Sequence, residues 1–159
     1  MKFCFILQPV LLMALFLSCG KEAKIQDKLQ NEQISPTQDE VYFEVLRNLN
    51  TSLLKDNVQK FSSLLSNHPK IQIDEILNVN GDTFLIKAIK NDAVKIRDYL
   101  LKMGANPNKK NISLDSPLSI SVALNKKDSV KKLLEYNANL ETQNSRQETP
   151  LIIALKMNN

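Results

Sequence analysis

The sequence has no tryptophan, a single histidine, two cysteines and three glycines, and only 6% of its residues are aromatic. Each scarcity closes off a class of function. The one histidine, His68, lies in Asn67-His68-Pro69 and reads as a loop residue. A general base needs an oriented partner and a metal ligand needs companions, and the sequence supplies neither. The glycines stand at positions 20, 81 and 104, too scattered to form a phosphate-cradling loop. Asp74-Glu75 places two carboxylates side by side, but adjacent residues do not share a face, so the pair reads as a solvated loop edge. The net charge of +4 comes from lysines spread along the chain without interleaved aromatics, which argues against nucleic-acid binding. Lys126-Lys127 and Lys131-Lys132 read as a solvated helix face, with contact to anionic lipid headgroups the lesser alternative. A non-enzymatic protein without metal or cofactor is expected.

The front end is unlike the rest. Lys2 precedes an apolar run from Phe3 to Leu17, interrupted by Gln8-Pro9. Fifteen residues fall short of the roughly 20 that cross a bilayer as a helix. Residues 1–18 are therefore expected to be a secretion signal rather than an uncleaved anchor. Phe16-Leu17-Ser18-Cys19-Gly20 resembles a bacterial lipobox, in which a small residue precedes the cysteine that becomes the lipidated N-terminus. Ser18 and Cys19 match that motif, whereas Phe16 and Leu17 stand where Leu and a small residue are usual. The alternative is a small-residue cleavage site with an incidental cysteine. Loss of Cys4 with the signal and lipidation of Cys19 would leave a thiol-free domain with nothing to mispair in an oxidising compartment. The polar stretch that follows, to Pro36, makes residues 19–36 a lipidated cysteine and flexible tether. Such a tether would hold the domain on the order of 20–25 Å from the lipid. The expected location is the bacterial cell envelope, exported and membrane-anchored, on the periplasmic side or at the cell surface.

Beyond the tether the chain repeats itself. Thr83-Phe84-Leu85 recurs thirty-three residues later as Ser116-Pro117-Leu118, and again as Thr149-Pro150-Leu151. Leu100-Leu101 returns as Leu133-Leu134, and Met103-Gly104-Ala105-Asn106 as Tyr136-Asn137-Ala138-Asn139. A fixed period of this length marks stacked supersecondary units. Thr83, Ser116 and Thr149 are expected to cap a first helix, with Pro117 and Pro150 at its opening position. Val130, Leu133 and Leu134 then share one face of a second helix, as do Ile96, Leu100 and Leu101 one repeat earlier. Upstream, Thr37-Gln38-Asp39-Glu40 matches a capping box. Tyr42, Val45, Leu46, Leu49 and Leu53 keep helical spacing, and Asp56-Asn57 makes a turn. Phe61, Leu64 and Leu65 face inward from a second helix ending near Asn67, which makes the pair a divergent capping unit.

The segments GDTFLIKAIKNDAVKIRDYLLKMGAN, DSPLSISVALNKKDSVKKLLEYNAN and ETPLIIALKMNN resemble the ankyrin repeat family, whose unit is a β-turn, two antiparallel helices and a loop. The resemblance implies an all-α helix-turn-helix solenoid with short β-turn loops over about Val41 to Asn159. It divides the chain into a capping repeat at 37–77, repeats at 78–110 and 111–143, and a partial repeat at 144–159. Where the family favours Gly between the helices this chain has Asp92, Asn125 and Asn158, and after the second helix it has Gly104 and then Asn137. Asn and Asp best tolerate the left-handed conformation those sites need. Ile86, Ser119 and Ile152 replace the histidine that often bonds between repeats, so that network is missing and a stack of modest stability held by apolar packing is expected.

Such stacks bind proteins through hairpin tips and the concave face of the first helices. Carried over, the resemblance nominates Asn80, Asp82, Lys90 and Asn91, then Ile112, Ser113, Asp115 and Leu124, then Arg146, Glu148 and Lys156. Ile112 and Leu124 are either exposed for a partner or tucked into neighbouring repeats. The function implied is protein–protein interaction at the cell envelope, with lipid on Cys19 as the membrane contact. A non-binding spacer, or a truncated remnant of a longer array, is the alternative. Ile153, Leu155 and Met157 cannot all face inward on one narrow stripe, which suggests self-association through that end.

Overall fold

A computed structural model describes residues 37–157. The expected signal at 1–18, the lipidation site Cys19, the tether at 19–36 and the turn residue Asn158 lie outside the described residues.

Seven helices form among the described residues: α1 (Gln38–Leu54), α2 (Val58–Asn67), α3 (Phe84–Lys90), α4 (Val94–Lys102), α5 (Pro117–Ala123), α6 (Lys127–Glu135) and α7 (Pro150–Met157). The short first helices begin where a hydroxyl accepts a backbone N–H. Thr83 Oγ1 accepts from Ile86 N at 3.4 Å, Ser116 Oγ from Ser119 N at 3.1 Å, and Thr149 Oγ1 from Ile152 N at 3.4 Å. Each bond satisfies one of the donors that a helix start leaves open. The helices stop where the backbone turns left-handed. Asp56, Asp92 and Asn125 do this between paired helices, at φ 46°, 59° and 52°. Gly104 (φ 90°) and Asn137 (φ 59°) do it after α4 and α6.

α1, α3, α5 and α7 lie in one layer, each packed on the next, while α2, α4 and α6 pack on the partners that precede them. The interface between the layers is the core. Leu49, Leu53, Phe61, Phe84, Leu85, Ile89, Ile96, Leu100, Leu101, Leu118 and Leu133 are buried there. Phe61 and Phe84 meet edge to face at 5.3 Å, which joins the first helix pair to the second.

Two expectations need correction. Polar links do run between successive repeats, through the hairpins and turns and between helices. Ile112 N donates to Asn80 O at 3.0 Å, and Ser145 N to Ser113 O at 3.0 Å. The Asp56 carboxylate accepts from Lys95 N and Ile96 N at 3.1 and 3.0 Å, so one repeat's turn caps the next repeat's α4. Arg97, itself buried, donates to Ser129 at 2.9 Å. In place of a helix histidine, the hairpin backbone, the Asp56 carboxylate and the Arg97 side chain bridge the units. The second correction is Leu134, which is 42% exposed, whereas Leu101 in the same register is 2% exposed. Among the described residues no second-layer helix follows α6 to cover that flank.

Candidate protein-binding face

Three hairpins at 78–82, 111–115 and 144–148 project from the first-helix layer and share one construction. Each opens on an asparagine: Asn78, Asn111 or Asn144. Asn78 Oδ1 accepts from Asn80 N and Asp82 N at 3.1 and 3.0 Å. Asn111 Oδ1 accepts from Asp115 N at 3.0 Å, and Asn144 Oδ1 from Arg146 N and Glu148 N at 2.9 and 3.0 Å. The side chain replaces backbone partners across the turn, as asparagine does well. The fourth residue then turns left-handed: Gly81 at φ 74°, Leu114 at 59° and Gln147 at 59°. At Gly81 a side chain is excluded twice, because a Cβ there would sit 2.9 Å from Ile112 N and Cγ1.

The fifth residue of each hairpin is acidic. The Asp82 side chain is 3% exposed, and Lys90 Nζ donates to it at 2.7 and 2.9 Å. Asn78 Nδ2 and Asn111 Nδ2 donate at 3.0 and 3.3 Å, the second from the neighbouring repeat. Burial works to raise the Asp82 carboxyl, but the bonds from Asn78, Lys90 and Asn111, with the Lys90 charge, outweigh it and hold it below its ordinary value. Glu148 receives Lys156 Nζ, Arg146 Nε at 2.9 Å and Asn144 Nδ2 at 3.1 Å. The bond from Lys156, then that from Asn144, pulls its carboxyl from 4.5 to about 2 against the opposing effect of burial.

These shifts have a signed consequence. A carboxyl depressed in the folded state adds stability above its unfolded value and loses it as pH falls through the folded one. The melting temperature is expected to fall as pH drops from 4.5 to about 2, the window set by Glu148. Glu148→Gln is expected to flatten that fall in thermal melts followed by circular dichroism.

The nominated residues divide into an internal and an external set. Asp82 and Glu148 are buried inside the hairpins, at 2% and 8% exposure, with Lys90 and Lys156 closing over them. Asn80, Ser113 and Arg146 are exposed at the tips, while Asn91 is exposed at the end of α3, where its amide donates to Lys87 O. Ile112 is 70% and Leu124 46% exposed, so neither tucks into a neighbouring repeat. Lys90, Asp115, Leu124 and Arg146 come together on the walls of one groove of about 360 Å³, with Ser119, Ala123 and Ile153. Val79 and Leu114, 90% and 48% exposed, extend the apolar surface of the tips and had not been nominated.

His68 ends α2, its Nδ1 lying 2.8 Å from Leu64 O. Asp74 and Glu75 organise their loop: Asp74 accepts from Asn106 N at 3.0 Å and Glu75 from Tyr42 OH at 2.6 Å. Among the described residues no group of three or more His, Cys, Asp or Glu side chains could hold a metal ion. No helix among them is long and apolar enough to cross a membrane.

A two-layer stack of short helix pairs, repeating every thirty-three residues and linked by hairpins, is a helical repeat solenoid. No family model matches the chain. It is 40% identical over 84 residues to an ankyrin repeat protein of Fowlpox virus (strain NVSL), and 32% identical over 83 residues to one of Rickettsia bellii (strain RML369-C). It is also 37% identical over 82 residues to transient receptor potential cation channel subfamily A member 1 of Homo sapiens. These alignments take in 50%, 52% and 50% of the chain but only 25%, 10% and 7% of the respective relatives. Over about half of its length the chain is similar to ankyrin repeat proteins, and its helix pairs and hairpins form ankyrin-like repeats.

Proposed function

We propose that the domain binds another protein across its hairpin tips and the groove between α5 and α7, and that lipid on Cys19 holds it at the bacterial cell envelope. The observation that carries the binding reading is the exposure of Ile112 and Leu124 on the face where ankyrin repeats meet partners. Val79 and Leu114 enlarge that apolar surface. Solvent-facing apolar residues that cluster on one side of a monomer mark interaction sites more often than isolated ones do. A spacer without a partner would have no use for them. The exposed Leu134 on α6 and the exposed Leu151 and Leu155 on α7 support a second contact, self-association of the domain.

Photo-crosslinkers placed at Ile112 and at Leu124 in intact cells are expected to capture the same protein. One placed at Lys131, on α6, is not. Ile112→Asp is expected to abolish capture at Leu124 while changing the melting temperature little, because most of the side chain is already in water. Identical capture from Lys131 would sink the reading. The anchoring is tested separately. A stable anchor needs more than one acyl chain, at roughly 0.8 kcal/mol per buried methylene. Cys19→Ala is expected to move the protein from the membrane to the soluble exported fraction; a wild-type chain that is fully soluble, with Cys19 unmodified, refutes the lipid anchor.

A further inference from the structure

The three hairpins carry a carboxylate in the same register, at Asp82, Asp115 and Glu148, and in two of them the residue eight positions on is a lysine. Lys90 closes on Asp82 and Lys156 closes on Glu148. The middle repeat breaks the pattern. Ala123 stands where the lysine would be, and it lines the same groove as Asp115. The backbone N–H and C=O of Asp115 are both bonded to Asn111. Among the described residues no side chain donates to its carboxylate, which is partly buried. The cations that share the groove are occupied elsewhere: Lys90 on Asp82 and Arg146 on Glu148.

We propose that this groove is a subsite for a lysine side chain of the bound protein. The ammonium takes the place at Asp115 that Lys90 takes at Asp82, and the aliphatic stem lies along Leu124 and Ile120 on the groove wall. The fold itself supplies the precedent, since the same carboxylate position binds an ammonium in the repeats on both sides. A charge-assisted bond in a partly desolvated groove is stronger than the same pair in open water, and it selects for the sign of the partner. Ala123 matters as much as Asp115, because its short side chain leaves the space open. The proposal rests on the reading of this face as protein-binding and names the chemistry of one contact within it.

Two experiments on the full chain test it. The first needs no partner. Ala123→Lys supplies the missing ammonium from within, and is expected to raise the melting temperature by about 2–4 °C. The gain is expected to vanish in an Asp115→Asn background. Equal effects in both backgrounds would show that position 123 does not address Asp115, which overturns the subsite. The second selects binders from a random peptide library displayed on phage. Peptides whose binding is lost with Ile112→Asp are expected to share a lysine. Replacing that lysine by norleucine, or Asp115 by Asn, is expected to weaken binding about tenfold. Ala123→Lys is expected to block the peptides. Peptides that depend on Ile112 but have no lysine preference overturn the subsite and leave the binding face standing. Peptides indifferent to Ile112 and Leu124, or no binders at all, overturn both.

Discussion

Leu100→Ala is expected to destabilise the domain by about 2–4 kcal/mol in urea unfolding. Leu100 is fully buried in the core between the two helix layers, where truncation removes apolar contact and leaves a cavity that the surrounding core cannot fill without moving. Leu133→Ala should cost a similar amount, since Leu133 occupies the same register and is also fully buried. Leu134 beside it provides the contrast. At 42% exposure its truncation should cost less than half as much, although the sequence pairs the two leucines symmetrically. Lys126→Ala, which removes an ion pair with an Asp92 side chain that is 61% exposed, is expected to stay within about 0.5 kcal/mol. Equal losses at Leu133 and Leu134 would show that the inner face of α6 is misassigned.

Asp82→Ala is the other large effect, about 2–4 kcal/mol by the same measurement. The substitution leaves three donors without their acceptor. Lys90, 37% exposed in its side chain, can turn to water and recover part of the loss. The amides of Asn78 and Asn111 cannot do so as easily, because Asn111 is buried and Asn78 is committed to the hairpin. Asp82→Asn should be milder, since an amide oxygen still accepts. A loss at Asp82→Ala no larger than that of an exposed aspartate such as Asp128 would mean that the hairpin does not depend on its carboxylate.

These two residues mark the boundary of what could be read in advance. Leu100 was legible, because helical spacing and a thirty-three-residue period both fix its face. The capping hydroxyls of Thr83, Ser116 and Thr149 were legible for the same reason, as were the left-handed positions of Asp92, Asn125 and Asn137. Asp82 was not. An acidic residue at a turn reads as solvated, and its lysine lies eight positions away across a turn and a helix, beyond any spacing that a helix alone would pair. The left-handed Leu114 and Gln147 were equally hidden, because only Gly81 among the three advertises that conformation. A signal did exist in Asn78, Asn111 and Asn144, which recur at the repeat period and brace each hairpin. The exposure of Ile112 and Leu124 stood open in the sequence, since periodicity orders residues around an element but does not say what lies beyond its surface.

Every helix pair packs chiefly on the pairs beside it. The stability of the stack is a chain of couplings, and each link can loosen while the others hold. A protein seated in the groove between the second and third hairpins would bridge one of those links from outside. Occupancy would then be felt as slower amide exchange in α5 and α7, with little change in α1. Affinity and local order would be one quantity measured in two ways, and a partner would tune the stiffness of one end of the stack while leaving the other free to breathe.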